Sequence, residues 1–294
     1  MSRVGVVTLA RGRHRHLEAQ HVSLARQQRR PDDYVVVAMG DPTIEERTVA
    51  GLRRRVVRLP ADPRALPLAA ARNQGVASVL ERGADVVLLL DVDCLAGEAL
   101  TSSYAGAVAA RPGTVWSGPV TYLAPTAGDT ALDHLHELDD PHPARPAPVP
   151  GELVEGADPR LFWSLSFALS AEAWARSGGF CGLYTGYGGE DTDFAFQLAG
   201  RGLAMGWVGS ARAYHQHHPV EDPPVRHLDD ILRNGALFHA RWGEWPMEGW
   251  LEAFERRGLV TRDGVGWRRV DAAPAVGRQG RPEVLRSSGR TSRP

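Results

Sequence analysis

Val86-Val87-Leu88-Leu89-Leu90-Asp91-Val92-Asp93 is an unbroken apolar run that ends in two aspartates bracketing one valine. It is short, rich in valine and leucine, and bounded by Gly83 before it and Gly97 after it. That pattern predicts a strand buried on both faces, the central kind in parallel α/β sheets. Carboxylates at the C-terminal end of such a strand stand where open α/β sheets bind ligands. In an extended chain a spacing of two puts both side chains on one side. Paired hard oxygens suit Mg²⁺ or Mn²⁺, with waters and a ligand's phosphates completing the shell. The plainer alternative is that Asp91 and Asp93 cap a following helix, expected over 96–110, or simply end the strand in water. Asp191-Thr192-Asp193 repeats the same triplet further on, so the triplet alone does not decide.

The flanking chain alternates in the same style. Strands are expected over 4–9, 34–39 and 56–59. Helices are expected over 14–28, 44–54 (short and arginine-rich) and 68–82. Strand and helix in turn predict a mostly parallel sheet covered on both faces. Beyond Asp93 the expectations are a helix to Ala110, a strand over 115–120, and a long proline-rich loop over 124–159 that could act as a lid. A strand over 161–169, helices over 171–177 and 190–200, and a strand over 206–214 follow. An amphipathic helix over 228–242 has Leu228, Ile231, Leu232 and Phe238 inward. A last helix starts at Pro246, with Trp250, Leu251 and Phe254 on one face. From 261 the chain is rich in Arg, Gly, Ser and Pro, and is expected to be a disordered tail.

With 294 residues and 43% hydrophobic side chains, the chain can bury a full core in one domain. Its net charge of −1 gives no general attraction to nucleic acid. Every basic residue is arginine. Only Cys94 and Cys181 are present, which argues against a disulfide framework and for a reducing compartment. The N-terminus runs straight into a strand without a signal-peptide layout, and no apolar run approaches the roughly 20 residues of a membrane span. A soluble, cytoplasmic protein is expected.

Gly186-Tyr187-Gly188-Gly189-Glu190-Asp191-Thr192-Asp193 is the second informative stretch. Its glycines let the backbone approach a ligand closely, and three acids then open a helix. Acids in a first turn also complement the helix dipole, which needs no ligand at all. Phe194 and Leu198 share a face with Asp191 and should anchor it, which aims Asp191 at the cleft as a general base. His215, His217 and His218 follow a strand. Alternation places His215 and His217 on one side and His218 on the other. An imidazole can share a Mn²⁺ site with carboxylates.

Together these residues resemble the family 2 glycosyltransferases with the GT-A fold, over about residues 3–255. The block from Gly186 to Asp193 is similar to the galactosyltransferase-type C-terminal motif. Ala71-Arg72-Asn73-Gln74-Gly75 is similar to the family's Arg-Asn-x-Gly signature, Asp91-Val92-Asp93 to its Asp-x-Asp, and Ala213-Tyr214-His215-Gln216 to the segment that supplies a metal-binding histidine. The resemblance implies one GT-A domain over 1–260, with a nucleotide-binding half to about 120 and an acceptor half after it. It implies that Thr8, Leu9, Arg11 and Asp41 hold the nucleoside, and that Arg72 and Asn73 reach the ribose or diphosphate. Asp91 would bind ribose and metal, Asp93 would be the more direct metal ligand, and His215 would complete the site, with His217 as the alternative. Asp191 would be the catalytic base and Glu190 would bind substrate hydroxyls. Trp163, Ser164 and Ser166 occupy the sugar-pocket segment, where the family often carries Asn. Cys181 replaces the acid that usually follows Gly-Gly-Phe.

The implied activity is metal-dependent, inverting transfer of a sugar from a nucleotide-diphosphate sugar, with UDP as the default. The acceptor would be a glycan, a glycolipid or a small molecule, and peripheral membrane association is compatible with it. The alternative is a non-catalytic sugar-nucleotide or carbohydrate-binding protein on the same fold, but its mark would be damaged acids. A metal-dependent hydrolase would need closely spaced ligands such as His-Glu-x-x-His, and a nicotinamide-dependent dehydrogenase Gly-x-Gly-x-x-Gly after the first strand. Neither pattern occurs.

Overall fold

The computed structural model describes residues 1–127, 132–264 and 266–270. A nine-stranded sheet forms the centre, in the order β3-β4-β2-β1-β5-β10-β7-β11-β9. Its strands are β1 (Val4–Ala10), β2 (Asp33–Met39), β3 (Arg47–Val49), β4 (Leu52–Leu59), β5 (Val86–Leu90), β7 (Thr114–Ser117), β9 (Leu153–Glu155), β10 (Ser166–Ser170) and β11 (Ala204–Val208). Pairing is parallel along β4-β2-β1-β5, and β10 enters antiparallel between β5 and β7. β3 and β9 are antiparallel edge strands, so most strands run one way.

β5 is buried along its whole length, as its unbroken apolar run requires. Alternation divides it between two layers. Val86, Leu88 and Leu90 pack with Leu17 and Leu24 of α1 (His14–Ala25) and with Leu100 and Tyr104 of α3 (Leu100–Ala110). Val87 and Leu89 pack with α2 (Leu68–Leu80), α4 (Ala171–Ser177) and Phe194 of α5 (Glu190–Gly200). α2 sits unusually close to β1, because a Cβ on Gly75 would lie 2.4 Å from Val7 Cγ1. This approach lowers Arg72, one turn earlier, to the carboxyl end of β5.

A second sheet of β6 (Cys94–Ala96), β12 (Ala213–His215) and β8 (Val120–Tyr122) stands over that end. Residues 94–96 therefore start no helix, and α3 begins only at Leu100. The buried Cys94-Leu95-Ala96 pairs with β12 instead, with His215 opposite Cys94. The continuous strands expected over 115–120 and 206–214 are each cut in two, so that β8 and β12 can leave the main sheet. Gly118-Pro119 makes the first break: Pro119 has no N–H for a ladder, and a Cβ on Gly118 would strike the Ala211 carbonyl.

The expected helix over 44–54 is a hairpin. Ala50 and Gly51 both take left-handed backbone (φ 46 and 85), the pair of angles a tight hairpin turn needs. Its arginines are spent on Glu18, Glu46 and Asp33. The strand expected over 161–169 is confined to β10, and a short 3-10 turn at Pro159–Leu161 leaves Trp163 and Ser164 at the sheet's mouth. The 124–159 stretch is not structureless, since it supplies two 3-10 turns and edge strand β9. The tail expected from 261 begins instead with a hairpin of β13 (Val260–Arg262) and β14 (Trp267–Arg269). It packs on α6 (Leu228–Trp242) and α7 (Glu248–Arg256) through Val260, Trp267, Leu251 and Phe254. Residues 271–294 lie outside the described residues. Among the described residues no helix is long and apolar enough to cross a membrane.

Candidate active site

The carboxyl end of β5 gathers the loop after β1, the second sheet and the start of α5: Arg13 and His215 approach Asp93, and Arg72 bridges Asp91 and Glu190. Asp93, just past β5, lies 3.5 Å from His215 Nε2 and 3.3 Å from His218 Nε2. One ligand atom from each of the three falls within 4.8 Å of the others. Arg13 approaches the same carboxylate at 3.8 Å. Burial alone would raise the Asp93 carboxyl, but the His218 hydrogen bond and the charges of His215 and Arg13 hold it below its ordinary value. Burial lowers His215 and so favours the neutral imidazole, which is the ligand form. One carboxylate and two imidazoles are a donor set that fits Mn²⁺ or a similar divalent ion.

Asp91 lies outside this group. It faces Arg72 NH2 at 3.6 Å, and desolvation pushes its carboxyl up to about 7 against that guanidinium's pull. His217 also lies outside, with its carbonyl turned to His16. The histidine alternation fails because β12 ends at His215. Beyond a strand's end, spacing no longer fixes a side, and His218 swings onto Asp93.

Arg72 is the hub of the opposite wall. It is 4% exposed, donates to Glu190 Oε1 at 2.9 Å and Ser164 Oγ at 2.8 Å, and lies over the Phe180 ring. Glu190 and Asp191 open α5 after a loop in which Gly186, Gly188 and Gly189 take positive φ. Asn234 of α6 fixes that loop by donating to the carbonyls of Thr185, Tyr187 and Gly188. The Asp191 carboxyl is raised, first by burial and then by Glu190, while Arg72 and the amides of Thr192 and Ser164 oppose the shift. Asp191 lines a cleft of about 510 Å³ with Tyr122, Trp163, Tyr187 and Trp250. A larger hollow of about 700 Å³, between α1 and the second sheet, contains no part of the Asp91–Asp93 or Glu190–Asp191 pairs.

Several expected contacts turn inward instead. Thr8 is buried, and its hydroxyl is shared by the Leu90 carbonyl and Gln20, so it ties β1 to β5. Leu9 is buried in the core. Both amide atoms of Asn73 are taken by the Phe180 backbone, at 2.9 and 2.8 Å. Asn73 therefore holds the Gly178-Gly179-Phe180 turn rather than reaching for a ligand. Ser166 is buried against the Tyr104 hydroxyl. Arg11 bonds the carbonyls of Met39 and Gly40. Asp41 accepts from the Gly12 amide and from Thr43, which lowers its carboxyl. These two residues join the loops after β1 and β2 beside Arg13. Cys181 receives a hydrogen bond from Arg241.

Sequence reading missed Gln20, whose amide donates to the carbonyls of Asp91 and Cys94 and so shapes the turn that presents Asp93. It also missed Tyr122, which stacks on His215 at 4.6 Å, and Arg145. A buried glutamine on a helix carries no periodic signal, while Tyr122 and Arg145 lie near or within a stretch read only as strand end and loop.

No protein-family model matches the sequence, and no curated protein sequence matches it. Solved structures do. The chain is 12% identical to S. aureus TarS 1-349, with a TM-score of 0.51 over 80% of this chain and 64% of that one. The same protein has been solved with UDP-GlcNAc, and there the match is 13% identical with a TM-score of 0.52, over 74% of this chain and 60% of that one. GalNAc-T7, solved with UDP, GalNAc and Mn²⁺, is 12% identical with a TM-score of 0.53, over 87% of this chain and 57% of that one. The match thus spans less than two thirds of those chains. At such identity the likeness speaks for the fold alone: the chain has the mixed α/β fold of the GT-A-type glycosyltransferases.

Proposed function

We propose that the protein is a metal-dependent glycosyltransferase that moves a sugar from a nucleotide-diphosphate sugar to an acceptor hydroxyl with inversion at the anomeric carbon. One observation carries this reading. A carboxylate–imidazole set able to hold a divalent ion is linked to a carboxylate with a raised pKa through Asp91 and Arg72, since Arg72 lies 3.6 Å from Asp91 and 2.9 Å from Glu190, the neighbour of Asp191. Asp93, His215 and His218 would hold Mn²⁺ or Mg²⁺, which when bound neutralises charge on a departing diphosphate. The nucleoside would lie across the ends of β1 and β2, beside the Arg11–Asp41 junction and Arg13. UDP is the favoured nucleotide, because the structural neighbours named above were solved with UDP or UDP-GlcNAc.

Asp191 accepts the proton of the attacking hydroxyl. Its raised pKa suits a general base near neutral pH better than an ordinary carboxylate would. Arg72 holds Glu190 and Asp91 in place and limits the repulsion among three acids. Tyr187 and Trp250 line the cleft with Asp191 and would give an acceptor an aromatic surface there. A saccharide, a glycolipid headgroup or a small molecule with an apolar face fits such a wall.

A thermal-shift panel of UDP-, GDP- and dTDP-sugars, with and without Mn²⁺, tests the donor half. A bound nucleotide stabilises the fold by mass action, by about 2.7 kcal/mol at a hundredfold excess over Kd. Stabilisation by UDP-sugars that needs Mn²⁺ is the expected result. No response to any donor would sink the reading.

A further inference from the structure

Arg145 is 5% exposed, and none of its Nε, NH1 or NH2 atoms has a hydrogen-bond partner among the described residues. Its guanidinium lies between two indoles, 4.7 Å from the Trp207 ring centre and 5.3 Å from that of Trp163. Among the described residues the Trp207 Nε1 is also buried without a partner. Guanidinium and indole nitrogens only donate, so what these groups want among the described residues is acceptors. Stacking on two rings offsets part of the cost of enclosing the charge but satisfies no N–H.

The unpartnered donors stand beside the candidate active site. Trp163 is a wall of the Asp191 cleft. His142 meets Trp163 edge-on at 5.3 Å and Tyr122 at 5.2 Å, and Tyr122 stacks on His215 of the metal set. Arg145 therefore lies behind a continuous aromatic wall that runs from the metal set to the general base. Tyr122, at the metal end of that wall, is 46% exposed.

We propose that Arg145 anchors an anionic group of the donor, through phosphoryl or sugar-carboxylate oxygens, reached when the aromatic wall turns aside. The proposal rests on the nucleotide-sugar reading above. The shared chemistry is a pair of acceptor oxygens matched to a planar fork of donors.

Calorimetry on the full chain with Mn²⁺, using UDP, UDP-glucose and UDP-glucuronate, tests it. If Arg145 holds the phosphoryl oxygens, Arg145→Met weakens all three by about tenfold or more. If it holds a sugar carboxylate, only UDP-glucuronate weakens by that factor. Arg145→Lys, with a charge but no fork, should recover part of the loss. Folded Arg145→Met that binds all three as wild type does would overturn the proposal. So would wild-type protein whose tryptophan emission stays unchanged on saturation, since turning the wall aside moves Trp163 away from the Arg145 guanidinium. That second readout holds even where Arg145→Met fails to fold. Wild type that binds none of the three removes the donor reading itself, and this anchor with it.

Discussion

Asp91-Val92-Asp93 and Asp191-Thr192-Asp193 are the same triplet in different local structures. The first leaves a strand. Both of its acids stay at the cleft, Asp91 against Arg72 and Asp93 against His215 and His218. The second opens a helix, where two residues turn about 200° and face opposite ways. Asp191 faces the cleft. Asp193 is fully buried and takes Arg241 at 2.6 Å, the Trp242 indole at 2.7 Å and the Tyr184 hydroxyl at 3.1 Å, pinning α5 to α6. A shared motif therefore gives two candidate site acids in one place, but one candidate site acid and one structural clamp in the other.

That contrast can be broken most sharply inside the second triplet. Asp191→Asn should leave donor affinity near wild type and lower the transfer rate by at least about 10²-fold, read by parallel calorimetry and product assay. Transfer at the wild-type rate would take Asp191 out of the base role. Asp193→Ala should do the reverse. It takes the shared acceptor from a partly exposed guanidinium, an indole and a tyrosine hydroxyl, so thermal or urea unfolding should report a loss of about 1–3 kcal/mol. A stable Asp193→Ala variant with impaired transfer alone would erase the distinction between the two acids.

The first triplet is probed by its partners. Asp93→Ala and His218→Ala should each weaken Mn²⁺-dependent UDP binding by about 10-fold or more, whereas His217→Ala should not. Equal losses for His217 and His218 would mean that the histidine geometry differs in the bound state. The smallest effect is on pH. Asp191 must be ionised to accept a proton, and its pKa is raised. Transfer should therefore fall on acidification at a higher pH than an unperturbed aspartate would dictate. A rate profile with its acid limb in the ordinary carboxylate range would contradict this.

Much of the fold was legible because it depends on local pattern. The apolar run of β5, the β–α alternation before it, and the limits of α5 and α6 follow from periodicity alone. The errors share one cause. Residues 44–54, 94–96, 206–214 and 261–269 each took a form set by a distant partner. The 44–54 hairpin closes on β4, Cys94-Leu95-Ala96 pairs with β12, β12 leaves the main sheet to do so, and the last hairpin packs on α6 and α7.

The site divides in the same way. The sequence by itself determined the acids at the end of β5, the glycine loop before Glu190 and Asp191, and the histidines after a strand, since each is a residue type at a local spacing. Only the tertiary structure decided which of these meet. It put His218 rather than His217 on Asp93, because side-chain alternation ends with the strand. It turned Thr8 and Asn73 inward, because buried carbonyls and amides at the strand and turn ends needed partners. It also set Arg145 behind the aromatic wall, because a side chain in an irregular segment is placed by what the fold leaves beside it.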